Sequence, residues 1–138
     1  MLSQLRHLHD ELRSAIAELA LVVRQPMLDK DALSSARLRV TKLSRQRRSL
    51  IQCTILPSLH DVPRHEAQRI NQLVLEAAEL AVGSSEHIAR WTMAAISGDW
   101  TGYQQASAEM RASMLKRIRF EAVVLYPILE ARSGQKAA

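Results

Sequence analysis

Apolar residues recur at alternating steps of three and four along four long stretches of this chain. That spacing lays one face of an α-helix against its neighbours. The first stretch gives Leu2, Leu5, His9, Leu12, Ile16, Leu19 and Val23, and the second gives Leu33, Ala36, Val40, Leu43, Arg47, Leu50 and Thr54. The third gives Ile70, Leu73, Ala77, Leu80, Ser84, His87, Trp91 and Ala94, and the fourth Tyr103, Ala106, Met110, Ser113, Arg117, Phe120 and Val124. The pattern predicts an all-α chain that buries its seams by packing the four helices together in up-down-up-down order, a four-helix bundle.

Punctuation sets the limits of the helices. The first runs over 2–24 and stops before Pro26, since the residue preceding a proline is biased away from helix. Asp29 or Asp31 caps the second, which ends near residue 56 at Pro57. A connector over 58–63 leads to a third helix over 64–97, and Gly83-Ser84-Ser85 is the point at which that helix could divide in two. Gly98-Asp99 marks the next turn, and the fourth helix covers 101–132. Residues 1–132 therefore read as one domain and 133–138 as a disordered tail. With 138 residues, such a domain buries roughly two thirds of its unfolded surface. A short internal likeness accompanies the pattern. Ile55-Leu56-Pro57 and Leu125-Tyr126-Pro127 lie 70 positions apart, and each follows an arginine, Arg47 or Arg117, by the same interval.

Each seam is interrupted by one ionisable side chain: His9, Arg47, His87 and Arg117. Burying any of them unpaired costs several kcal/mol, on the order of a lost buried ion pair. They are therefore expected to meet at one level, with Glu121 as the carboxylate that a guanidinium fork accepts. Each also has a plainer role: a hydrogen-bonded core histidine, or an arginine that lays its stem in the core and sends its head to water. His7, His60 and His65 fall off the seams and read as surface residues.

The segment Leu115-Lys116-Arg117-Ile118-Arg119-Phe120-Glu121-Ala122-Val123-Val124-Leu125-Tyr126-Pro127, together with a seam histidine on the first helix, resembles the hemerythrin-like (HHE cation-binding) domains. The resemblance implies a hemerythrin-like bundle and, in intact members, a non-haem di-iron centre held by histidines and carboxylates one helical turn apart. Carried across, it leaves only His9, His87 and Glu121 as metal ligands. Arg47 and Ile51 stand where the second helix would offer ligands, Trp91 where the third helix would supply a second ligand, and Arg117 where the fourth would supply histidine. What remains is a degenerate site with a polar layer in place of iron, expected to hold no cofactor. Non-haem iron, in an oxygen or iron sensor, is the alternative.

Other functional classes leave little trace. No Ser-His-Asp, Cys-His or paired-carboxylate arrangement stands out, and there is no phosphate-binding Gly loop, so the chain does not read as an enzyme. His9-Asp10-Glu11-Leu12-Arg13 is similar to the phospho-acceptor run of histidine kinases, but with an extra residue inserted, and the seam turns His9 inward. The net charge of +5 comes largely from Arg37, Arg39, Lys42, Arg45, Arg47 and Arg48. Of these, Arg37, Arg39, Arg45 and Arg48 form the candidate basic face for an acidic protein partner. A small anion such as phosphate or chloride is the partner expected inside the polar layer. A basic nucleic-acid-binding bundle is a further alternative, without the aromatic motifs or finger spacing that usually accompany it. No stretch is long and apolar enough for a membrane span or a signal core, and the lone Cys53 allows no internal disulfide. The expectation is a regulatory or interaction module in the reducing cytoplasm, as a monomer or homodimer.

Overall fold

Helices at the two ends of the chain carry most of the buried residues, and a second helix packs antiparallel to the first. The computed structural model describes residues 1–137, with side chains through residue 134. Helix α1 (Leu2–Val23) buries Leu5, His9, Leu12, Ile16, Leu19 and Val23, the inner face its spacing predicts. Helix α2 (Lys30–Leu50) returns along it, capped by Asp29, whose carboxylate accepts the Ala32 N–H at 3.1 Å. Outside the seam, Arg39 bridges Glu11 and Glu18 of α1 at 3.1 and 2.7 Å.

Beyond Leu50 the helix continues as a π turn, Ile51–Ile55, and a short α3, Leu56–Ser58. Proline is the physical reason for the change. Pro57 has no N–H for a helical bond, and its ring crowds the carbonyl four residues before it. The wider turn accommodates this, with the Leu56 N–H reaching back to the Ile51 carbonyl. The buried face here falls one residue past the expected seam. Ile51 and Ile55 are buried, Leu50 is half-buried, and Thr54 faces solvent.

Asp61 adopts a left-handed conformation (φ 71°) in the connector, which Arg132 holds by donating to the carbonyls of Ser58 and His60. Helix α4 (Arg64–Arg90) runs unbroken through Gly83-Ser84-Ser85, the candidate break point. A single glycine in a helix interior costs only about 1 kcal/mol against alanine. The interruption comes instead at Trp91-Thr92, and Thr92 caps a separate short α5 (Met93–Gly98). Helix α6 (Trp100–Ala137) begins on Asp99, whose carboxylate accepts the Gly102 N–H at 2.9 Å. It passes Pro127 and continues through 133–137, which were expected to be disordered; Ala138 lies outside the described residues. The Ser133-Gly134 step does not stop it, since a single glycine in a helix costs only about 1 kcal/mol.

All regular structure among the described residues is helical, with no strand. α6 is antiparallel to both α1 and α4. The Leu5 end of α1 packs with Leu125 and Leu129, while Gln104 donates to the Val23 carbonyl at the other end. Arg117 reaches Leu73 of α4, whereas Trp91, just past the end of α4, meets Tyr103. The buried apolar residues form two clusters. One contains Leu12, Leu19, Leu33, Trp91, Tyr103 and Ile118; the other contains Leu5, Ile51, Ile55, Leu73, Leu125 and Leu129.

Candidate functional site

Between the two apolar clusters lies a polar layer. His9 sits on α1 between Leu5 of one cluster and Leu12 of the other, and Glu121 sits on α6 between Ile118 and Val124. Both are sealed from solvent, at 0% and 1% exposure. Glu121 is absent from the expected seam of the fourth helix, yet it lies on the buried face itself.

Every member of the layer is positioned by hydrogen bonds. His9 Nε2 lies 2.9 Å from Glu121 Oε1, and Nδ1 lies 2.6 Å from the Tyr126 hydroxyl. A ring carrying its proton on Nε2 donates to the carboxylate and accepts the phenolic proton, which satisfies all three groups. The second carboxylate oxygen, Oε2, accepts from Arg47 Nη1 and, at 3.0 Å, from Arg117 Nε one turn earlier on α6. Arg117 also donates to the Leu73 carbonyl at 3.0 Å, tying α4 to the layer. Burial alone would push the Glu121 carboxyl up. The His9 hydrogen bond and the two guanidinium charges outweigh burial and hold it below the usual carboxylate range.

Three polar atoms in this region are buried without a partner: Arg47 Nε, Arg117 Nη1 and Ser44 Oγ. With two guanidinium charges against one carboxylate, the layer also carries surplus positive charge. Beside it, between α2, α4 and α6, is a cleft of about 150 Å³ lined by Ser44, Arg47, the exposed Arg48, Arg117 and Glu121 together with apolar and small polar side chains.

His87 does not join the layer. It lies toward the far end of α4, its ring centroid 6.1 Å from that of Tyr103, where burial and then the Arg37 charge lower its pKa. The seam carries it there because α4 runs antiparallel to α6, bringing the His87 turn level with Tyr103 instead of Glu121. The ligand set of His9, His87 and Glu121 is therefore not assembled. No group of three or more His, Cys, Asp or Glu side chains suited to a metal occurs among the described residues. His9 and Glu121 spend their polar atoms on one another, on Tyr126 and on the two arginines.

The basic face is also divided. Arg37 turns inward, donating to the Trp91 carbonyl at 2.9 Å with its guanidinium over the Tyr103 ring, and Arg39 is engaged with Glu11 and Glu18. Lys42, Arg45 and Arg48 remain exposed, with no ion pair among the described residues. His7, His60 and His65 are exposed.

Tyr126, Ser44 and the Leu73 carbonyl escaped the sequence reading. Tyr126 had a signal, a hydroxyl-bearing residue little more than one turn beyond a seam carboxylate, but the other two have none without coordinates. No family model matches the chain, and comparison with curated proteins and with solved structures gives no significant match.

Proposed function

We propose that the chain is a non-enzymatic, hemerythrin-like four-helix bundle in up-down-up-down order, with a buried polar layer in place of a di-iron centre, acting as a regulatory or protein-interaction module. The alternating directions of α1, α2, α4 and α6 support the bundle. One observation carries the functional reading: Arg47 and Arg117, on different helices, both engage Glu121 Oε2, the oxygen that a metal would otherwise claim. A guanidinium cannot ligate iron, and two of them repel a cation approaching the same carboxylate. The layer then fixes the helices' register and leaves function to a surface or a non-metal ligand. Lys42, Arg45 and Arg48 give α2 an exposed basic face suited to an acidic protein segment.

Metal analysis of protein produced in iron-rich medium tests this. The expected result is iron well below one equivalent and no oxo-bridge absorption band. A pair of irons per chain with that band would overturn the proposal in favour of an iron-dependent sensor.

A further inference from the structure

The cleft beside the polar layer combines two unlike surfaces. Leu73, Ala77, Leu80, Met110 and Met114 supply apolar walls, while Arg47, Arg117 and Ser44 supply donors. Each donor residue keeps one atom without a partner, namely Arg47 Nε, Arg117 Nη1 and Ser44 Oγ, and the Arg47 and Arg117 side chains are only 12% and 10% exposed. Leaving donors of this kind unpaired in an apolar setting is costly, more so when they are charged. The small residues that α4 presents here, Ala77, Ala81 and Ser84, leave the space open where leucines would close it.

We propose that this cleft binds a small monocarboxylate with an apolar body, in the size class of benzoate or hexanoate. The inference rests on the reading of the layer as metal-free. Three features select this ligand chemistry. One negative charge balances the surplus left by the two largely buried guanidiniums and one carboxylate, the third arginine of the lining, Arg48, being exposed and screened by water. The two oxygens of a carboxylate can accept from several donors, and the charge assistance makes those bonds the strong kind. The walls reward an apolar body instead of a hydrated inorganic ion, and a cavity of about 150 Å³ is the size known to admit a benzene ring. The two arginines can only donate and so discriminate acceptor from donor on the ligand, and the Ser44 hydroxyl can add a third donor.

Calorimetry and thermal melting of the full, metal-free chain test the assignment, with sodium benzoate, sodium hexanoate, sodium phosphate and benzyl alcohol at equal ionic strength. Benzoate and hexanoate are expected to bind and raise Tm, while phosphate and benzyl alcohol bind at least about tenfold more weakly. Ala77→Phe, which fills the cleft from α4, should abolish binding while the helical circular dichroism persists. Ser44→Ala should weaken binding several-fold and keep the wild-type melting profile in the absence of ligand. Absence of benzoate binding, an equal response to phosphate or to benzyl alcohol, or unchanged binding in Ala77→Phe overturns the assignment. Failure with metal-free protein removes the ligand alone, whereas stoichiometric iron in the purified chain removes the metal-free reading beneath it.

Discussion

A carboxylate is tolerated inside an apolar core only when its charge is met, and Glu121 is met by three side chains from three helices. The partners are less secure without it than it is without any one of them. Glu121→Gln keeps the volume but leaves Arg47 and Arg117 partly buried with no counter-charge. Removing one member of a buried ion pair typically costs about 3 kcal/mol or more. A loss of that order in the urea unfolding free energy is expected. The same substitution should alter the response to acid. Because the folded Glu121 carboxyl ionises below its unfolded value, its contribution is fully present above the ordinary carboxylate range and fades as pH falls through the folded value. Wild-type stability should therefore drop more steeply than that of Glu121→Gln on acidification below that range. Equal slopes in parallel denaturation series would remove Glu121 as the source.

Two elements owe their form to single residues. Pro57 accounts for the π turn at Ile51–Ile55, and Ile51 and Ile55, at its two ends, face the core. Asp99 starts α6, the longest helix, by accepting the Gly102 N–H. The fit at that cap is close, since a Cβ on Gly102 would lie 2.2 Å from an Asp99 carboxylate oxygen. The cap and the glycine are thus one unit. Asp99→Ala should cost about 1 kcal/mol, the usual value of a lost N-cap. Chemical denaturation checks this, and a change under a few tenths of a kcal/mol would show that the bond adds nothing.

Across the whole molecule, the polar layer divides the core, and α4 is its least anchored long helix. Among its 27 residues only Leu73 is fully buried, and Val74, Leu75, Val82 and Ile88 lie outward. α1 of 22 residues buries eight. Regions with few buried apolar contacts open at lower free energy than the rest. Native-state hydrogen exchange should therefore show amides in the middle of α4 exchanging well before those of α1, with Arg117's bond to the Leu73 carbonyl as a local restraint. Protection in α4 equal to that in α1 would contradict this picture.

The seams of α1 and the first half of α2 were legible because burial there follows a regular period that residue order alone expresses. The same period marked His9, Arg47 and Arg117 as groups that must find partners, and Glu121 as their carboxylate. Beyond Leu50 it failed, because the helix widens into a π turn ahead of Pro57 and burial falls on Ile51 and Ile55 instead of Leu50 and Thr54. It failed again for His87. Spacing along one helix says which face a side chain occupies, and the height at which it meets another helix depends on direction and register. Which arginine atoms stay unpaired, how far α4 stands from α2, and the cleft that results are set by packing between segments distant in the chain. Periodicity within each segment is a local property that the order of amino acids carries outright; the level at which segments meet arises only when all of them compete to bury the same surface.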